Sequence, residues 1–176
     1  ETAFDPYELS DEHNILLHKK IDEFDFSKND ASLIASRLVE TAKKYNVYNL
    51  SANQCNLDYR VFVAGSGEEF VGFFNPRILE YSNDETLMQE IDISIPALSF
   101  KVKRPTSIIV EYQDFNAETK QLKFDGLTSR LIQQSIDRLN GIDFRTKVSK
   151  LILERSIKAR EKKIKKYVRS MMSYVK

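Results

Sequence analysis

Gly126-Leu127-Thr128-Ser129-Arg130-Leu131-Ile132-Gln133-Gln134-Ser135-Ile136-Asp137-Arg138-Leu139-Asn140-Gly141 is the stretch from which the rest of the chain is read. Leu127, Leu131, Ile132, Ile136 and Leu139 recur at helical intervals, so Leu127–Leu139 is expected to be a helix with one apolar stripe. Asn140-Gly141 ends it, because glycine accepts the left-handed backbone that closes a helix. Ahead of it lie strand patterns: Tyr59–Ala64, Phe70–Phe74 after the turn Gly65-Ser66-Gly67, and Ile78–Tyr81. After a polar loop at Ser82–Thr86 come the alternating Ile91–Pro96, then Val102–Tyr112 and Gln121–Phe124. Pro105 inside such a run marks an edge or a bulge. A first helix is expected over Ser27–Tyr45, capped by Asp30 or Ser27. Helix, strands, helix, helix is the order of an α+β domain.

The 176 residues are 41% hydrophobic and 30% charged, which excludes a disordered chain and a membrane protein alike. No run approaches the roughly 18 apolar residues of a membrane helix. The chain opens on Glu1, not Met, as a processed product or a piece of a longer one would. The single cysteine, Cys55, leaves no disulfide framework and points to a reducing compartment. The net charge of +1 hides an asymmetry. From Ile142 onward stand twelve Lys/Arg against three acids, a segment of +9, while residues 1–141 carry −8. Past Gly141 there is no glycine or proline, and Phe144, Val148, Leu151, Ile152, Ile157, Ile164, Val168, Met171 and Val175 recur at helical spacing. We divide the chain into a body, 1–144, and a basic amphipathic helix, 145–176.

Three stretches, in order, resemble the signature motifs of the peptide deformylases. Leu50-Ser51-Ala52-Asn53-Gln54, followed by Arg60-Val61-Phe62-Val63, is similar to that family's Gly-x-Gly-x-Ala-Ala-x-Gln loop and its Arg-Val-x-Val strand. Glu90-Ile91-Asp92-Ile93-Ser94-Ile95-Pro96 stands against Glu-Gly-Cys-Leu-Ser-x-Pro. Gly126–Gly141 stands against Gly-Leu-x-Ala-Arg-x-x-Gln-His-Glu-x-Asp-His-Leu-Asn-Gly. Asn75-Pro76 also falls where the family carries Asn-Pro. The resemblance covers about residues 12–145. It implies mixed or antiparallel sheets around a central motif helix, here with a long C-terminal helix added.

In that family two histidines and a cysteine hold a divalent metal whose bound water attacks a formyl group, and a glutamate moves protons. Carried over residue by residue, the cysteine position is Asp92, the histidine positions are Gln134 and Arg138, and the glutamate position is Ser135. Gln54 and the backbone at Ile93 match the oxyanion donors and remain as vestiges. Val47 and Asn49 replace loop glycines. An arginine repels a divalent ion and keeps its charge near neutral pH, so an Asp92–Arg138 ion pair is expected to fill the former metal cavity, with no metal and no cofactor.

His13 and His18 have no ligand cluster around them in sequence, and Cys55 has no histidine beside it to make it a nucleophile. The expectation is therefore an inactive, structural or assembly subunit of a large complex, cytoplasmic or, if of phage origin, a virion tail or baseplate component. Lys158, Arg160, Lys162, Lys163, Lys165, Lys166, Arg169, Met171 and Met172 would meet a protein partner, with RNA as the lesser alternative and no membrane. The competing readings are an atypical metal-dependent deformylase-like hydrolase, using Asp92, Gln134 and Gln54, and a ribosome- or RNA-associated factor.

Overall fold

A computed structural model describes residues 4–173; Val175 of the expected C-terminal stripe lies outside them. Helix α1 (Ala31–Lys44) starts where Asp30 accepts a hydrogen bond from the Leu33 amide. It is followed by β1 (Asn49–Ser51), a tight turn at Ala52–Cys55, β2 (Val61–Ser66) and β3 (Glu69–Tyr81). Then come β4 (Glu85–Ile91), β5 (Ser99–Pro105), β6 (Ser107–Gln113) and β7 (Thr119–Asp125). Helices α2 (Gly126–Leu139) and α3 (Lys150–Ser173) close the chain. Five strands form one sheet in the order β1-β2-β3-β6-β7, and β4 pairs with β5 alone. Every pairing is antiparallel.

Helix α2 buries Ile132, Ile136 and Leu139 against Phe62, Phe73, Ile108, Val110 and Tyr112 of the large sheet. A separate cluster packs α1 against β1 and β2 through Leu38, Ala42, Leu50, Val61 and Val63. Gly141, just past α2, has φ +71°, and a Cβ there would stand 2.6 Å from the Lys19 carbonyl carbon. Both the backbone conformation and the space demand glycine.

Two strand expectations need correction. Ile91–Pro96 alternates in sequence, yet the ladder stops at Ile91. Beyond it Asp92 folds the chain into a turn, its Oδ1 accepting from the Ser94 amide at 2.9 Å while the Ile95 amide donates to the Asp92 carbonyl at 3.0 Å. A short carboxylate that satisfies nearby amides competes with strand pairing. Val102–Tyr112 is two strands in two sheets, not one. Pro105 has no N–H to continue a ladder, and the Thr106 amide donates to the Asp84 carbonyl as the chain crosses over. The polar loop is shorter than expected, because β4 begins at Glu85.

The C-terminal helix starts at Lys150, after a turn at Phe144–Lys147. Phe144, Val148 and Leu153 pack on Ile95, Leu98, Phe100 and Val102, and Arg160 pairs with Glu12 at 3.1 Å. From Glu161 to Met172 every residue is exposed.

Replacing Gly141 by alanine forces both the left-handed strain, on the order of 1–3 kcal/mol, and a backbone clash. Chemical denaturation of Gly141→Ala is expected to show a loss of at least about 2 kcal/mol; an unchanged midpoint would refute this account of the α2 terminus.

Candidate active site

Three segments bring the motif residues together: β1 with its following turn, the turn after β4, and the inward face of α2. At their centre Asp92 Oδ2 accepts from Arg138 Nε at 2.7 Å. Its Oδ1 accepts from Gln54 Nε2 at 3.1 Å as well as from the Ser94 amide. Gln54 is fully buried. Its Oε1 accepts from the Ser51 amide and its Nε2 also donates to Ser94 Oγ at 3.1 Å, so the short turn at Ala52–Cys55 fixes its orientation. Gln134 Nε2 donates to the Ile91 carbonyl at 2.7 Å. Asn49 Nδ2 donates to Ser135 Oγ at 2.8 Å and to the Leu131 carbonyl at 3.1 Å, locking β1 to α2.

A groove of about 220 Å³ runs beside this centre. One wall is Asn46, Val47, Tyr48 and Asn49 at the open edge of β1; the other is Gln89, Glu90, Ile91 and Ile93 at the open edge of β4. The floor is Leu127, Arg130, Leu131, Gln134 and Arg138 from α2. The Asp92–Arg138 pair occupies the centre, and the groove beside it is open. Val47 and Asn49 narrow the groove without closing it.

A second charged cluster lies one helical turn or more along α2. Arg104 grips Glu90 with two bonds, Nε to Oε1 at 2.6 Å and Nη2 to Oε2 at 3.0 Å. Arg130 Nη1 donates to the same carboxylate and to the Val102 carbonyl. Arg104 Nη1 reaches Asp137 at 2.7 Å. Burial opposes the Arg104 charge, yet the bonds from Glu90 and Asp137 outweigh it and raise its pKa above the ordinary value. Sequence reasoning missed Arg104, which sits in a strand outside every motif. The alternation of β5, with Phe100, Val102 and Arg104 all facing inward, was the available signal.

His18 contacts the Glu12 carbonyl and lines a small cavity that Asp92 and Arg138 also border, while His13 stands exposed; neither lines the groove. Cys55 is buried, and burial pushes its thiol up to about 12. Of the residues expected to meet a partner, Arg160 is engaged by Glu12, whereas Lys158, Lys162, Lys163, Lys165, Lys166, Arg169, Met171 and Met172 are exposed.

The profile of the polypeptide deformylase family matches residues 7–154. This chain is a member of the peptide deformylase family. The peptide deformylase of Dictyoglomus turgidum is 33% identical over 139 residues, 79% of this chain and 83% of that protein. That of Wolbachia sp. subsp. Brugia malayi is 32% identical over 149 residues, 77% of this chain and 83% of that protein. Among solved structures, the peptide deformylase of Thermus thermophilus superposes with a TM-score of 0.82 at 27% identity, covering 93% of this chain and 98% of that one. The Synechococcus elongatus enzyme in complex with actinonin superposes with a TM-score of 0.82 at 25% identity, covering 92% and 89%. The α+β deformylase architecture with its long C-terminal helix is thereby shown. The expectation of a non-enzymatic structural subunit, and of a virion or baseplate setting, is corrected: the proteins this chain matches are named enzymes over most of their length. Family membership is shown; loss of activity is not. No helix among the described residues is long and apolar enough to cross a membrane.

The family's divalent metal does not fit the residues present at the centre. Among the described residues no three His, Cys, Asp or Glu side chains gather as a ligand set. The one carboxylate available, Asp92, has both oxygens engaged. Of the buried side-chain atoms left without a partner among the described residues, Arg138 Nη1 and Arg160 Nε are donors and only the neutral amide oxygen of Asn53 is an acceptor, whereas a cation needs several acceptors. No step through a metal is therefore derived for this chain.

Two measurements check the site. Glu90→Gln leaves buried Arg130 without a carboxylate and Arg104 with Asp137 alone, and is expected to cost about 3–5 kcal/mol in denaturant unfolding; a loss under about 1 kcal/mol would show the cluster to be incidental. A group whose pKa is raised by burial stays protonated, so Cys55 should be inert to a disulfide-exchange reagent at a pH of about 8 in the folded protein and react once it unfolds. Rapid labelling of the native chain would contradict the placement.

Proposed function

We propose that this chain acts on the N-terminal end of extended peptides as a hydrolase of the deformylase type. The observation that carries the reading is the groove between the open edges of β1 and β4, retained in a chain that matches the family over 7–154. Two unpaired strand edges facing one channel suit an extended peptide, which pairs with them through main-chain hydrogen bonds. Leu127, Leu131, Val47 and Ile93 offer an apolar seat for the first side chain. Behind the groove Gln54 is held by Ser51, Asp92 and Ser94, and with both amide hydrogens spent on Asp92 and Ser94 it braces the centre. These residues bind and orient; the local chemistry beyond that departs from the family's at Asp92, Gln134, Ser135 and Arg138. A reducing, cytoplasmic setting accords with the single buried thiol and with the family.

The test is formate release from a formyl-methionyl tripeptide, followed together with its binding by calorimetry. Saturable binding with formate release is expected, and Leu127→Arg should lower kcat/KM by about tenfold or more without moving the unfolding midpoint. Saturated protein that releases no formate would sink the hydrolase reading; no binding would sink the groove as a peptide site.

The exposed part of α3 favours a further element of function. Ile164, Val168 and Met171 form an apolar stripe flanked by Lys162, Lys163, Lys165, Lys166 and Arg169, and all of these residues are exposed. We propose that this segment docks on an acidic protein surface; RNA offers phosphates but no apolar face to cover the stripe. Ending the chain after Arg160 should change unfolding stability by no more than about 0.5 kcal/mol. A larger drop would mean that the segment serves its own domain.

A further inference from the structure

We infer that Arg138 is the resident cation of the motif centre and that the Asp92–Arg138 pair excludes a divalent metal from it. Three observations lead there. Asp92 is 8% exposed and spends one oxygen on Arg138 Nε and the other on Gln54 and the Ser94 amide, so most of its accepting capacity is already used inside the protein. Gln134 turns its amide nitrogen to the Ile91 carbonyl, and its oxygen lies 3.4 Å from Asn49 Nδ2, which presents a neutral amide at best to an incoming ion. Arg138 itself is 7% exposed and rooted on the rigid C-terminal turn of α2, where its backbone carbonyl is held by Asn53 Nδ2 at 2.9 Å.

A guanidinium keeps its proton near neutral pH, so the positive charge cannot be shed to admit a metal. To enter, a divalent ion must break the Asp92 pair and leave Arg138 buried with no counter-charge, a state the fold disfavours. The centre's unmet demand points the same way. Arg138 Nη1 is a buried donor without a partner, and Arg138 borders both the groove and a cavity of about 20 Å³ that Glu12, His18, Asp92, Ser94 and Asp143 also line. That space admits a single water or carbonyl oxygen. The unmet demand at Arg138 is for an oxygen acceptor.

Metal exclusion rests on these contacts and does not require the hydrolase reading; peptide binding and formate release test that reading, whereas metal content tests this one. The protein is purified without chelator and assayed by elemental mass spectrometry, and its melting temperature is read with excess zinc, nickel or a chelator. Metal well below one equivalent and a melting temperature unmoved by all three are expected. Near-stoichiometric metal whose removal lowers the melting temperature would overturn the inference. Two variants then assign the exclusion. Asp92→Cys with Gln134→His keeps Arg138 and should remain metal-free, while adding Arg138→His should give about one equivalent of zinc and a rise in melting temperature. Equal zinc uptake by the double and triple variants would show that Arg138 excludes nothing. Should the triple variant fail to fold, the wild-type and double-variant metal contents still decide.

Discussion

Glu90 is a single carboxylate shared by two buried arginines, and the placement of the β4–β5 sheet on α2 depends on it. Arg104 approaches from β5 and Arg130 from α2, while Arg104 extends to Asp137 on the next turns of the same helix. The two-stranded sheet has no hydrogen-bonded neighbour to fix its position. Apolar packing alone sets distance but little orientation; planar guanidinium groups on a carboxylate set both. A buried cluster of this kind adds little net stability over a hydrophobic one, yet losing one member leaves a charge uncompensated. Its contribution is therefore one of register, holding the turn at Asp92 against the inner face of α2.

That turn carries Asp92 at the position where the resemblance would put the family's cysteine ligand. Asp92, Gln54 and Arg138 form a closed set of partners drawn from three segments. The same positions, occupied by metal ligands and a proton-moving glutamate, would leave oxygen, nitrogen or sulfur lone pairs aimed at one point. Here the lone pairs are spent on donors inside the protein. The groove beside them stays open between the edges of β1 and β4 and over the apolar side chains of α2, with Gln134 and Arg138 in its floor.

The charge asymmetry finds its physical place in the same fold. The first turns of α3 are tied down by Phe144, Val148 and Leu153 and by the Arg160–Glu12 pair. Past that pair the helix leaves the surface and carries its lysines and its apolar stripe into solvent together. An amphipathic helix normally spends its apolar face on its own core; this one does so for less than half its length.

What the sequence determined by itself was the set of elements governed by local periodicity and by end signals. The stripe of α2, the Asp30 cap of α1 and the Asn140-Gly141 stop are short-range effects, and the motif order alone brought Gln54, Asp92, Gln134 and Arg138 to one place. What only the tertiary structure decided was whatever depends on partners distant in the chain. Ile91–Pro96 alternates like a strand, but the Asp92 carboxylate finds Gln54 and Arg138, 38 and 46 residues away, and the backbone turns to serve it. Val102–Tyr112 reads as one strand, and the Pro105 break sends its halves to different sheets. Arg104 belongs to no motif, yet it meets Glu90 and Asp137 because β5 folds back on α2. Periodicity reports which face of an element is buried; it carries no record of which buried charge will answer another.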